Sequence, residues 1–141
     1  MTFSLSGLLR VRSAQERIAA EALSRSTAQR VRAEAAETGA QASLAEIAEE
    51  VGDSATLLAM AAARAAGRSM LGDLQTLTAL RRGEEEAAKA VHIEARRELK
   101  GLERLETAER ARRTSAELRA EQTVLDEIAV GRASRDEGSA A

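Results

Sequence analysis

Few side chains in this sequence have a type and spacing that could support catalysis. His92 is the single histidine, and Lys89 stands three residues before it, where a metal-binding helical bundle needs glutamate. The stretch GRSMLG (67–72) has the glycine spacing of a phosphate-binding loop, but Asp73 and Leu74 follow it instead of lysine and serine or threonine. There is no cysteine, and no serine has a histidine at a spacing that suggests a nucleophile. We therefore expect no catalysis, cofactor or metal site, with His92 a solvated or flanking residue.

Carboxylates occur in short runs, at 49–50 and at 84–86. Paired carboxylates can act as general acid and base, but both runs lie on predicted helices without a cleft, so we expect solvated helix faces. Charge is uneven, because residues 1–32 carry six Arg and two Glu whereas residues 33–60 carry six acidic residues and no basic ones. This asymmetry would orient a charged partner. Nucleic acid and small-molecule substrates are not expected, since Arg and Glu interleave over 81–113 and no aromatic platform is present.

Composition indicates long helices rather than a compact globule. Only 1% of residues are aromatic, 31% are charged, proline is absent, and alanine dominates the hydrophobic 44%. Large aromatics normally supply much of a globular core, so this composition is typical of long helices or coiled coils. The absence of cysteine fits a reducing compartment. The N-terminal FSLSGLL is too short for a secretory signal, and the most apolar stretch (55–67) is interrupted by Arg64 and too short to span a membrane, so we expect a cytoplasmic protein.

One break divides the chain into two predicted helices. In VGDSAT, Gly52 suits the position after a helix, and Asp53 or Ser54 suits the N-cap of the next one. We predict one domain over residues 1–141, with helix 1 over about 3–50, a turn over 51–54, helix 2 over about 55–131, and a frayed tail over 132–141.

Heptad spacing predicts that the two helices form an all-α, antiparallel two-helix coiled-coil hairpin. In helix 2 the predicted interface positions are Met70, Leu74, Leu77, Arg81, Glu84, Ala88, Val91, Ala95, Glu98, Leu102 and Leu105. A second phase follows at Ala111, Thr114, Leu118, Glu121, Leu125 and Ile128. The shift between the two phases indicates a discontinuity in the heptad pattern.

Helix lengths predict that the C-terminal helix overhangs the hairpin. Helix 1 would be roughly 70 Å long and helix 2 roughly 115 Å, at 1.5 Å per residue. Folding at Gly52 would place residue 4 beside a residue near 101, and roughly 30 residues of helix 2 would project past it. An unpaired amphipathic helix of that length is marginal in water. The predicted overhang contains Val124, Leu125, Ile128 and Val130, so these side chains need a partner outside the hairpin.

The two ends of the chain resemble one protein family. The opening FSLSGLLRVR (3–12) resembles the N-terminal Phe-x-Leu-x-x-Leu-Leu-x-x-Arg pattern of FliJ-type flagellar export proteins. The closing LRAEQTVLDEIAVGR (118–132) is similar to the family's C-terminal segment, in which Glu-Gln precedes an Asp-Glu pair flanked by aliphatics. The resemblance covers nearly the whole chain in length and in order of elements.

The resemblance implies a non-catalytic stalk similar to the central γ subunit of rotary ATPases. The end that carries both termini would insert into the hexameric ring of the flagellar export ATPase. The early part of helix 2 would contact the cytoplasmic linker of the export gate. The protein would promote ring assembly, escort export chaperones, and associate peripherally with the inner face of the cell membrane at the flagellar basal body, in support of flagellum assembly and motility.

Two sets of contact residues follow from the resemblance. The residues implied to face the ATPase ring are Leu5, Leu8, Leu9, Arg12, Leu125, Asp126, Glu127 and Ile128. The stripe implied to contact the gate is Ala63, Gly67, Met70 and Leu74.

Two other functions remain open from the sequence. The equivalent stalk of an injectisome-type secretion system would have much the same sequence pattern. A generic coiled-coil scaffold or chaperone could also carry these heptads. The apolar stretch 57–67 has two interpretations as well, close alanine-lined packing near the turn or a docking surface for another protein.

Overall fold

The computed structural model describes residues 4–47 and 53–139, and two long helices contain nearly all of these residues. Helix α1 spans Leu5–Glu46 with 42 residues, and helix α2 spans Ser54–Ser139 with 86 residues. The helices pack against each other, and the described residues contain no strand. The all-α prediction is confirmed, and the packing is compatible with the predicted coiled-coil hairpin.

Side-chain caps explain where both helices begin. The Ser4 hydroxyl accepts a hydrogen bond from the Gly7 amide over 3.2 Å, so α1 starts at Leu5. Asp53 Oδ1 accepts from the Thr56 amide over 2.9 Å, so Asp53 is the N-cap of α2, one of the two predicted. The Thr56 hydroxyl, followed by the Thr56 amide, lowers the pKa of Asp53.

The helix ends differ from the predicted ones. Helix α1 ends at Glu46, with Ile47 as C-cap, whereas the prediction carried it to about residue 50. Residues 48–52, which include the first half of the predicted turn, lie outside the described residues, as does Phe3. Helix α2 continues to Ser139, past the predicted end at 131, because the predicted frayed tail contains Ala, Arg, Asp and Glu and no proline to stop a helix.

The two helices meet along a continuous heptad seam, which we define by positions that are buried or half-buried at alternating spacings of three and four. In α1 the seam residues are Leu5, Leu9, Arg12, Glu16, Ala19, Leu23, Ser26, Arg30, Ala33, Glu37, Ala40, Leu44 and Ile47. In α2 they are Met60, Arg64, Gly67, Leu71, Leu74, Thr78, Arg81, Glu85, Ala88, His92, Ala95, Leu99, Leu102, Glu106 and Glu109. Low-numbered residues of α1 meet high-numbered residues of α2, as Arg12 with Glu98 and Leu44 with Gly67 show, so the pairing is antiparallel.

Half of the predicted α2 interface lies one residue away from the seam. Leu74, Arg81, Ala88, Ala95 and Leu102 were assigned correctly. At the alternate positions the predicted residue comes one position before the seam, and two of these residues, Met70 and Val91, are each 61% exposed. The seam instead takes the next residue along, Leu71 or His92. The helices approach each other closely at Gly67, where an added Cβ would lie 2.9 Å from Leu44 Cδ1.

The core is correspondingly thin. Among the described residues only Ala19, Ala33 and Thr78 are buried, while many large aliphatics are exposed. No described helix combines the length and apolarity required to cross a membrane.

Candidate interaction surfaces

Charged side chains bridge the middle of the seam. Arg30 donates from Nε to Glu85 Oε2 over 2.6 Å, and Thr27 donates its hydroxyl to Glu85 Oε1 over 2.8 Å. The Thr27 hydrogen bond is the largest cause of a lowered pKa at Glu85, and Arg30 adds to it. The hydrogen bond to Glu85 in turn raises the pKa of Arg30. Two ionised groups at one level of the seam specify how the helices align, which is a structural role.

Further polar pairs repeat this alignment along the hairpin. Arg82 donates to Glu34 over 2.9 Å, and Arg12 pairs with Glu98. Both are at least partly exposed, so they contribute little to stability and mainly favour one register.

His92 occupies a seam position, which corrects the prediction that it is solvated or flanking. Its Nε2 lies 2.9 Å from Glu16 Oε1, and its side chain is 18% exposed. The prediction placed Val91 in the seam and His92 beside it. The seam lies one residue later, so His92 is in the seam and Val91 is beside it. His92 therefore joins the two helices through a cross-helix contact.

The predicted ring-contact residues of α1 lie at the interface with α2. Leu5, Leu9 and Arg12 are seam residues, and Leu8 lies beside the seam, half-buried. Leu5 shares a surface recess with Glu106 and other residues of α2. These side chains thus hold the start of α1 against α2.

The predicted ring-contact residues of α2 lie elsewhere. Leu125, Asp126, Glu127 and Ile128 are all exposed. Leu5 is level with residues near Glu106, and Leu125 lies 19 positions further along α2, or roughly 28 Å. The structure does not bring the two predicted groups together.

The predicted gate-contact stripe is divided between two faces of α2. Gly67 and Leu74 face α1 in the seam, and Gly67 lies against Leu44. Ala63 and Met70 are exposed. Only these last two offer surface to another protein.

The C-terminal part of α2 carries a dense set of exposed aliphatic residues. Every described residue from 111 to 139 is exposed. The large aliphatics there are 49% to 69% exposed: Leu118, Val124, Leu125, Ile128 and Val130. The polar contacts in and just before this part are local, such as Arg113 to Glu109 over 3.2 Å and Gln122 to Asp126 over 3.0 Å. We call residues 111–139 the distal segment.

The described residues contain no group of three or more His, Cys, Asp or Glu side chains placed to hold a metal ion.

Sequence reasoning missed one apolar surface along the hairpin. An open groove between the helices is lined by Gln15, Ile18, Ala19, Ala22, Val91, Glu94, Ala95 and Glu98. Ile18 is 64% exposed and Val91 is 61% exposed. It was missed because heptad spacing predicted Val11 and Ile18 of helix 1, like Val91 of helix 2, to lie inside the hairpin, whereas all three are exposed.

The chain matches no known protein family, no curated protein and no solved structure.

Proposed function

We propose that this protein is a non-catalytic stalk of the bacterial flagellar type III export apparatus. In this proposal the distal segment inserts into the ring of the export ATPase, and the hairpin links the ring to the export gate. The proposal rests on the resemblance of the two chain ends to FliJ-type proteins. The observation that carries it is the complete exposure of the aliphatic distal segment.

The relative lengths of the helices support an overhang. Ser4 and Leu5 line one recess with Glu109 and Arg113, and α2 continues to Ser139. About 26 residues, or roughly 40 Å of helix, would then extend beyond α1. A helix of this kind, unpaired, is marginally stable in water, and clustered exposed aliphatics mark interaction sites. A ring that encloses the helix would cover this surface.

The composition of the distal segment suits a shaft held by a ring. Leu118, Val124, Leu125 and Ile128 form one broad stripe along the helix, and Val130 lies outside it. Asp126 and Glu127 would supply polar contacts to inner loops of the ring. A ring would cover the stripe and also Val130, whereas a single partner helix would cover the stripe alone.

The start of α1 would stand at the mouth of the ring. Because Leu5, Leu9 and Arg12 pack against α2, their proposed role is to hold the hairpin closed at the base of the distal segment. Leu8, beside the seam, would make the direct contact. At the other end, Ala63 and Met70 are the residues proposed to contact the gate's linker. Export chaperones are further proposed partners, and the protein would work at the basal body on the inner face of the cell membrane.

A mutant of the distal segment tests the proposal. The protein, mixed with the flagellar export ATPase from the same genome, should promote hexamer formation and raise ATP turnover. Leu125→Asp with Ile128→Asp should reduce that stimulation at least about tenfold, because a carboxylate buried without a partner costs several kcal/mol. The measurements are ATP hydrolysis and ring assembly by size-exclusion chromatography.

A matched control variant distinguishes loss of the ring contact from general unfolding of the helices. Val31→Asp with Ile93→Asp changes two exposed aliphatics of similar exposure, 51% and 52%, on the hairpin. It should keep full stimulation, and circular dichroism should show equal helicity in both variants. Unchanged stimulation by the Leu125→Asp, Ile128→Asp variant would contradict the assignment of the ring contact. Stimulation of an injectisome ATPase alone would favour that alternative system.

A further inference from the structure

The two sides of the hairpin differ chemically. We define the apolar face by the heptad positions that flank the seam on the side of the Ile18–Val91 groove. Its large aliphatic members are Leu8, Val11 and Ile18 of α1, and Met70, Leu77, Leu80, Val91 and Leu105 of α2. The equivalent flank of α2 on the other side is basic, with Arg68, Arg82, Lys89 and Arg96.

We infer that a second copy of this chain docks on the apolar face, forming a four-helix bundle with the two-fold axis parallel to the hairpin. This goes beyond the proposed function, because it concerns the hairpin of the free protein and uses none of the distal segment. Charge complementarity between the two helices favours a second copy as the partner and determines its orientation.

Charges on the apolar face are segregated by helix. The α1 half carries Arg25 and Arg32, and neither forms an ion pair within the described part of the chain. The α2 half carries carboxylates at Asp73, Glu84, Glu94 and Glu98. Glu84 pairs with Arg81, Glu94 with Arg97, and Glu98 with Arg12. A dimer that stacked α1 on α1 and α2 on α2 would oppose like charges, whereas stacking α1 on α2 brings arginine to glutamate.

A two-fold axis parallel to the hairpin produces the favourable arrangement. It places α1 of each copy over α2 of the other and leaves every residue at its own height along the axis. The seam contacts fix those heights, because Arg12 is level with Glu98, and Thr27 with Glu85. Two aliphatic pairs and one ion pair then form between copies, each twice. They join Ile18 to Val91, Leu8 to Leu105, and Arg25 to Glu84 of the second copy.

The area available is sufficient for a stable dimer. From Leu8 to Arg32 the face is roughly 37 Å long, and two helices side by side are about 20 Å wide. Each copy would therefore cover about 740 Å², close to the ~800 Å² per partner of standard specific interfaces.

The mass of the full chain in solution provides the first test, with no ATPase present. Multi-angle light scattering over a concentration series should approach twice the monomer mass of 15.0 kDa. Ile18→Glu with Val91→Glu should weaken dimerisation by at least about tenfold, since it buries four carboxylates in the interface. The matched control is Val31→Glu with Ile93→Glu, aliphatics of comparable exposure on the opposite side of each helix. It should dimerise like the unmodified chain.

Disulfide trapping provides the second test, because the natural chain has no cysteine. A chain with Ile18→Cys mixed with a chain with Val91→Cys should cross-link efficiently on oxidation. Each chain alone should cross-link poorly, because residue 18 faces residue 91, not itself, across the proposed axis.

Three results would overturn the inference. They are a monomeric full chain at all concentrations, equal loss of dimer in the control variant, and stronger cross-linking of the Ile18→Cys chain alone than of the mixture. None bears on ATPase stimulation by the distal segment, so failure here and failure of the proposed function can be told apart.

Discussion

At the scale of single residues, the interface of this protein is polar and thin, so individual side chains decide alignment more than stability. Thr78 is the extreme case, with 2% exposure and a hydroxyl that has no hydrogen-bond partner among the described residues. A buried hydroxyl without a partner costs about 1–3 kcal/mol. It therefore marks a position where the natural sequence is not optimal for stability.

Thr78→Val is expected to stabilise the protein by about 1 kcal/mol, because valine keeps the shape and removes the unpaired hydroxyl. Thermal unfolding followed by circular dichroism measures the change. Thr76→Val is the control, since the Thr76 side chain is exposed and its hydroxyl bonds the Gly72 carbonyl over 3.1 Å. That substitution should shift stability by no more than about 0.5 kcal/mol. Destabilisation by Thr78→Val would contradict the account.

Glu85 gives a residue-scale prediction about pH. Its pKa is lowered in the folded chain by Thr27 and Arg30. A lowered folded pKa contributes stability above the unfolded value of about 4.3, and this contribution disappears as pH falls through the folded pKa. Glu85→Gln should therefore lower the melting temperature at pH 7, and this difference should shrink progressively as the pH falls below about 4.3. The measurement is the melting temperature of the unmodified chain and of the Glu85→Gln variant between pH 7 and pH 3. A difference in melting temperature that does not change with pH would contradict the ionised Arg30–Glu85 pair.

At the scale of the helices, glycines within α2 are expected to differ in their response to alanine. Gly83 has no atom within 4 Å of an added Cβ, so Gly83→Ala should stabilise α2 by up to about 1 kcal/mol. At Gly67 the added Cβ would lie 2.9 Å from Leu44, so Gly67→Ala should gain less or destabilise. Equal gains at both positions, measured by urea unfolding, would show that α1 and α2 are not closely packed there.

Much of the helical architecture could be predicted from sequence, and the errors have physical causes. The helix break and the Asp53 cap followed from turn and cap chemistry, which is local. The seam register was half right, because neighbouring positions such as Val91 and His92 both fit a heptad. The choice between them depends on the closeness of the helices, which is not local information. The exposed Ile18–Val91 groove was missed for the same reason.

At the scale of the whole molecule, one helix serves two environments. Up to about Glu109, α2 has α1 as its partner along the seam, and beyond this point its aliphatic residues are exposed. The hydrophobic spacing changes phase near the same place, from the seam positions to Leu118, Leu125 and Ile128. The change of phase could be predicted from sequence, whereas the identity of the partner could not, because surface chemistry alone does not name it. The proposed ring would supply that partner.

Hydrogen exchange of the backbone amides, with and without the export ATPase, tests directly whether the distal segment inserts into the ATPase ring. In the free chain, amides of the distal segment should exchange faster than those between residues 64 and 104, because the distal residues are all exposed whereas the other range contains the seam residues that contact α1. With the ATPase ring present, protection should rise in the distal segment and stay unchanged between 64 and 104. An ATPase that leaves exchange in residues 111–139 unaltered would contradict the proposed insertion.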